Sequence, residues 1–212
     1  NFYWPQEDLV RERAHASGWG YTVLRPQVVC GLALGSPMNI TLAIGVFAAV
    51  SKAMGQALHF PGGDTFVTQA TDASLLGRAV RWFGTQSSGD NETYNITNGD
   101  ELIWRSIWPS IADFFKMEVG DDRPISLVEE MPNAASIWDE LVRRQGLKPY
   151  SIDQLVGKSW QFADAVFGLR GGQDTLLSTI KARQHGFVDC IDTEDMFRHQ
   201  FAALQSARIL PV

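Results

Sequence analysis

The periodicity of apolar residues changes character midway along the chain, and that change limits the folds open to it. Up to residue 115, short runs rich in β-branched and aromatic residues alternate with helical stretches. Tyr21–Leu24 and Thr93–Ile96 read as strands. Residues 5–17, Ile40–Met54, Ala73–Phe83 and Glu101–Phe115 read as helices, with Asn39 and Asp72 as caps and Gly18 and Gly55 as stops. Strands alternating with helices are the pattern of a parallel α/β sheet. From residue 116 onward almost every periodic segment is helical. The expected helices are a segment that begins at Asp121, carries Ile125, Leu127 and Val128 and is interrupted by Pro132, then Ile137–Gln145, Ile152–Phe167, Leu176–Gln184, and Glu194–Ala207 with Thr193 as its cap. Such a helical part fits a lid over the ends of the sheet's strands.

Composition excludes several classes of function. A chain of 212 residues can bury one sizeable core, and 45% apolar with 20% charged residues is ordinary for a soluble domain. A net charge of -6 leaves no basic face for nucleic acid or an anionic membrane. No apolar run is long enough to span a bilayer, and no signal-peptide pattern opens the chain. Cys30 and Cys190 form neither a disulfide framework nor a zinc signature, so both read as thiols of a reducing, cytoplasmic compartment. His15, His59, His185 and His199 lack ligand spacing, and no metal is expected. The chain has no Gly-x-Ser-x-Gly elbow, no Walker loop and no glycine-rich turn after a strand.

Two stretches carry chemistry. Asn1-Phe2-Tyr3-Trp4-Pro5-Gln6-Glu7-Asp8 puts a phenol at the mouth of a helix, with Pro5 in the first turn and acidic residues where the helix dipole favours them. Tyr3 is then expected on the last loop residues before a packed helix, with Leu9, Val10 and Ala14 on its inner face. Starting on a helix, without a preceding strand or an initiator Met, the sequence reads as continuing something upstream. The second stretch, Arg25-Pro26-Gln27-Val28-Val29-Cys30-Gly31, ends a strand, fixes the exit with proline and permits close approach at Gly31. Ligands of open α/β sheets bind outside the carboxyl ends of the strands, so Gln27–Val29 would border one. Without a basic background, Trp104, Trp108, Trp138 and Trp160 read as core or pocket lining.

The opening octapeptide resembles the Asn-Phe-Tyr-x-x-x-Glu-Asp motif of the progesterone 5β-reductase and iridoid synthase-like group of extended short-chain dehydrogenases/reductases. The resemblance extends over Leu24-Arg25-Pro26, Ser36-Pro37-Met38-Asn39, Phe60-Pro61-Gly62, Thr71-Asp72-Ala73, Tyr94 to Asp100, Phe162-Ala163-Asp164 and the tail from His185 to Pro211. It implies a Rossmann-like doubly wound fold. Residues 1–115 would be the later part of the dinucleotide-binding domain with the catalytic-tyrosine helix, and 116–212 a mainly helical substrate-binding cap. It further implies an NADPH (or NADH) cofactor, hydride transfer to the β-carbon of an α,β-unsaturated carbonyl compound, and a small apolar carbonyl substrate, with a homodimer as the candidate assembly.

Carried over residue by residue, Tyr3 corresponds to the catalytic tyrosine. Pro26, Val29, Ser36 and Met38 match cofactor-side positions, and Met38 and Phe162 match the substrate pocket. Trp160 or its neighbours are expected beside them. Usual short-chain reductases have Tyr-x-x-x-Lys, whereas Glu7 holds that position here. The group takes its lysine from an earlier strand outside this chain. The segment after Gly62 is shorter than usual, and Thr68 stands where the group often has a pocket tyrosine. Two other readings fit the same architecture. A nucleoside-diphosphate-sugar epimerase or dehydratase would want a basic clamp, for which Lys148, Lys158, Arg170 and Lys181 are available but scattered. A non-catalytic NADP-binding protein would lack the upstream lysine.

Overall fold

The computed structural model describes residues 2–86 and 91–212. Helix α1 (Tyr3–Ser17) ends at Gly18, whose backbone is left-handed and whose N–H bonds back to Ala14. Strand β1 (Thr22–Pro26) follows, then the short β2 (Val29–Cys30) and the buried helix α2 (Ile40–Ala53). β3 (Thr71–Asp72) leads directly into α3 (Ala73–Thr85), and β4 (Glu92–Ile96) precedes α4 (Trp104–Phe114). The remainder is helical: α5 (Leu127–Glu130), a 3₁₀ turn over Met131–Ala134, α6 (Ala135–Gln145), α7 (Ile152–Val156), α8 (Ser159–Val166), α9 (Ile180–Gln184) and α10 (Thr193–Ser206).

The strands pair in parallel. β1 lies along β4 with Thr22 opposite Glu92 and Pro26 opposite Ile96. β2 lies along β3, Val29 opposite Thr71. Pro26 has no N–H to give a ladder, and its place at the last position of β1 avoids that loss.

Helix α2 is buried along every residue from Ile40 to Ser51 because α6, α7, α8 and α10 surround it. A helix apolar all round needs such a sheath. The main core joins it to Trp104, Trp108, Trp138, Trp160, Phe167, Phe197 and Phe201. Trp108 and Phe167 meet edge to face, as do Trp104 and Phe167. A second, smaller cluster pins α3 and α9 to β4, with Phe83 stacked on Tyr94 at 4.1 Å.

Several helix boundaries depart from expectation, each for a local reason. Tyr3 is the first residue of α1 rather than a loop residue, so Pro5 falls third and Glu7 and Asp8 lie in the second turn. Of the residues expected on the inner face of α1, Ala14 is buried and Val10 half-buried, but Leu9 is exposed. α4 begins at Trp104 instead of Glu101 because Leu102 exchanges backbone hydrogen bonds with Thr68. Residues 176–179 are not helical: the Leu177 N–H is held by Gln69 and the Ser178 carbonyl accepts from Asn95. The helix read over Ile152–Phe167 breaks at Gly157, whose φ of 56° and ψ of -127° suit glycine alone. The cap of α10 is Asp192, accepting from the Asp195 N–H, while Thr193 is spent on Asp100.

Candidate active site

The ends of β1 and β2, the loop between β2 and α2, the N-terminal half of α1 and one residue of α8 enclose a cleft of about 1250 Å³. It runs along β1 and past the carboxyl end of that strand. Its wall is mostly apolar, with Trp4, Val10, Leu24, Val28, Leu32 and Phe162 among the contributors.

Each site residue read from the sequence faces this one cleft. Tyr3 and Met38 line it and are exposed; Pro26, Val29 and Ser36 form the wall where the strands end; Phe162 reaches it, half-buried, from α8. Trp160 does not take part: it is buried in the main core with its neighbours Ala163 and Phe167. Trp104, Trp108 and Trp138 are core residues as well, and the Trp138 indole N–H donates to the Tyr150 carbonyl at 2.8 Å.

The loop carrying Ser36 and Met38 is built by polar staples. Asn39 donates its amide to the carbonyls of Gly31 and Ala33, at 2.9 and 2.8 Å, while its side-chain oxygen caps α2 at the Leu42 N–H. The Ser159 hydroxyl, fully buried on α8, accepts from the Asn39 N–H at 2.8 Å and donates to the Ser36 carbonyl at 2.6 Å. The Gly35 N–H donates to the Leu155 carbonyl. The loop is thus fastened to the same helix that presents Phe162, one turn beyond Ser159. Gly31 allows the loop to leave β2, since a Cβ there would stand 2.8 Å from that of Ala73.

Behind the cleft lies a buried polar knot. Asp72 caps α3 through the Ser74 and Leu75 N–H groups and also accepts from the Gln200 amide at 2.9 Å. Gln200 donates in addition to the Cys30 carbonyl and accepts from the Thr41 hydroxyl. Burial on its own pushes the Asp72 carboxyl up; the bonds from Ser74, Gln200 and the two amides outweigh it and hold the group below its ordinary range. Burial, and then the nearby Asp72 charge, push the Cys30 thiol far above its own.

Sequence reasoning missed Ser159 as part of the site's frame; it placed Gln27 beside a ligand and Thr68 at a pocket position but not that the two side chains meet. Gln27, which lines the cleft, donates from its side chain to the buried Thr68 hydroxyl at 3.2 Å. Neither contact leaves a local signal, because the partners are 123 and 41 residues apart.

Over its whole length the chain is 30% identical to an (S)-8-oxocitronellyl enol synthase of Camptotheca acuminata and 30% identical to that of Antirrhinum majus, covering 55% of each. The chain is similar to these enol synthases along its whole length. An uncharacterised protein of Schizosaccharomyces pombe is 28% identical over the whole chain, which covers 62% of it. The chain therefore spans little more than half the length of these relatives. No family model matches it. Among solved structures it resembles the UDP-glucose 4-epimerase of Thermotoga maritima, with a TM-score of 0.58 at 16% identity over 96% of the chain and 52% of that structure. It also resembles the protein RMD of Pseudomonas aeruginosa in complex with NADPH, with a TM-score of 0.56 at 13% identity over 96% and 52%. The fold is the C-terminal part of the Rossmann-like architecture of extended short-chain dehydrogenases/reductases.

Proposed function

We propose that this chain is the tyrosine-bearing, substrate-binding part of an NAD(P)H-dependent ene-reductase. One observation carries the reading: Tyr3, the strand-end wall at Pro26 and Val29, the loop residues Ser36 and Met38, and Phe162 all border one apolar cleft. Mostly apolar clefts with a few convergent polar groups are the usual form of a small-molecule site. The relatives named as enol synthases support the reaction class.

The residues present suit the reactive end of a nicotinamide cofactor. Pro26, Val28 and Val29 offer a flat apolar wall, and Ser36 a hydroxyl, at the carboxyl end of a parallel strand, where such ligands bind. The cofactor's phosphates find nothing comparable among the described residues of the cleft: its one cation, Arg25, is engaged by Glu7. A phosphate cradle would come from the length of the relatives that this chain does not span. When bound, the cofactor supplies the hydride.

The chain's own residues then have defined work. Phe162 and Met38 exclude water from an apolar enone and hold its β-carbon toward the strand-end wall. The Tyr3 hydroxyl donates to the carbonyl oxygen and stabilises the negative charge that grows there as the β-carbon is reduced. A positioned donor of this kind is worth about 10²–10³ in rate. A sugar-nucleotide substrate draws no support from the cleft. Lys148, Lys158, Arg170 and Lys181 are absent from its wall, and Lys181 is held by Glu92.

The test is Tyr3→Phe in the intact protein. The ring and its packing against Phe2 remain, and only the hydroxyl goes. With a small activated enone, kcat should fall by about 10²-fold or more while KM and the NADPH Kd stay nearly constant. Equal kcat for the two proteins removes Tyr3 from the mechanism.

A further inference from the structure

Helix α1 carries the tyrosine, yet little of it touches the protein. Phe2, Tyr3, Trp4 and Leu9 are exposed, and Ala14 is the one buried residue of the helix. The half-buried positions are Glu7 and Val10, which with Ala14 form a stripe at i, i+3 and i+7. Tyr3 lies on that same stripe, one turn ahead of Glu7. Glu7 is thus the half-buried polar position of the stripe nearest Tyr3, and its partner bears on how the N-terminal half of the helix is held.

That partner is Arg25 of β1. Its guanidinium forks onto the Glu7 carboxylate through three hydrogen bonds, Nη2 to both oxygens at 2.7 and 2.8 Å and Nε to one at 3.2 Å. Its charged carbon also lies 5.5 Å from the centre of the Trp4 ring. Arg11 adds a second contact to Glu7 at 3.1 Å from within the helix. Arg25 immediately precedes Pro26, where the cofactor-side wall begins. A two-point fork fixes orientation as well as distance, which a lysine could not do. Glu7 occupies the position four residues after the tyrosine, so this carboxylate serves as a grip on the helix.

We propose that Arg25 is a positioning residue: by gripping Glu7 and lying against Trp4, it fixes Tyr3 relative to the strand ends that form the other side of the cleft. The inference rests on the ene-reductase reading for its catalytic consequence, but not for the grip itself. Arg25 acts through Tyr3. Its loss should lower the rate of the chemical step without weakening the cofactor, because a displacement of about 1 Å can cost on the order of 10²-fold.

The experiment compares Arg25→Gln, Arg25→Lys, Glu7→Gln and the double Glu7→Gln/Arg25→Gln with the wild type, all in the intact protein. Amide hydrogen exchange is followed along α1, with α2 and α10 as internal references. In Arg25→Gln, α1 should exchange at least about tenfold faster while α2 and α10 are unchanged. The same variant should lose about 10–10²-fold in kcat for enone reduction, with the NADPH Kd within about twofold. Arg25→Lys should fall between the two, and the double variant should be no worse than the poorer single one, since the pair acts as a unit. Unchanged exchange in α1 overturns the grip whether or not the protein reduces enones. Faster exchange with kcat intact overturns the catalytic consequence, and parallel loss of NADPH affinity reassigns Arg25 to the cofactor. If the wild type reduces no enone, the proposed function fails and the exchange measurement still decides the grip.

Discussion

Replacing Asp72 by Ala tests how much of the fold depends on the polar knot behind the cleft. Two losses and one gain follow from the geometry. The first is the cap of α3, with acceptors removed from the Ser74 and Leu75 N–H groups at 2.7 and 3.1 Å; such caps are worth about 0.5–2 kcal/mol. The second is the charge-assisted bond from Gln200. Its amide would keep the Cys30 carbonyl but leave one N–H unpaired in a buried place, at about 1–3 kcal/mol. The third term has the opposite sign, because the variant no longer buries a carboxylate. Together these give about 2–4 kcal/mol of destabilisation, or about 4–16 °C in Tm for a chain of this size.

Urea unfolding and thermal melts at pH 7 measure that loss, and acid pH separates its origins. The folded-state pKa of Asp72 is depressed, so its contribution is fully present above the unfolded carboxylate pKa, near about 4. It is lost as pH falls through the folded value. Asp72→Asn keeps one oxygen acceptor for the helix N-terminus and lacks the charge. Its penalty relative to wild type should therefore be clear at pH 7 and shrink below pH ~4. A loss under about 1 kcal/mol for Asp72→Ala, or an Asp72→Asn penalty equal at pH 7 and pH 3, would refute the account of the knot.

Two further outcomes are expected. Native protein should show one reactive thiol toward an aromatic disulfide reagent, the exposed Cys190, while Cys30 reacts only as fast as the protein unfolds; Cys190→Ser should abolish the fast phase. Gly157→Ala places a Cβ 2.9 Å from the Gly35 carbonyl oxygen at a positive φ, so it should cost about 1–3 kcal/mol in urea unfolding and speed amide exchange in the loop of Ser36 and Met38, because it pries that loop from the turn between α7 and α8.

The parts of the fold visible in the sequence were those with a local cause. Asn39 and Asp72 cap α2 and α3 as their types and positions suggest, and Gly18 ends α1 in left-handed geometry. Boundaries shifted where a distant partner claimed a backbone or side-chain group. Thr193 has the chemistry of a cap, but Asp100 takes both its hydroxyl and its N–H, so Asp192 does the capping. Leu102 would suit a helix start, but Thr68 holds it in an extended bridge. The residues that border the cleft were legible through motif resemblance, because Tyr3, Pro26, Ser36 and Met38 lie within short runs. Ser159 was not, and neither was the bond from Gln27 to Thr68, since a serine on a helix and the partner of a glutamine after a proline acquire meaning only from the loop and the threonine they reach.

This division says how the site should respond to change. The main core is held by interlocked aromatic rings around α2, and its stability is spread over many contacts. The cleft is framed differently: Ser159 fastens the loop, Gln27 reaches Thr68, and Arg25 grips α1, each through a few directional bonds. Directional bonds near a surface contribute little net stability, because water replaces them on opening. They do restrict geometry, and geometry is what a hydride transfer is sensitive to. Substitutions in the frame of the cleft should therefore separate activity from stability, as large-to-small changes among the core rings cannot. The exceptions are the Asp72 knot and the Ser159 staple, where the same kind of bond is buried and its removal leaves unpaired groups that water cannot reach.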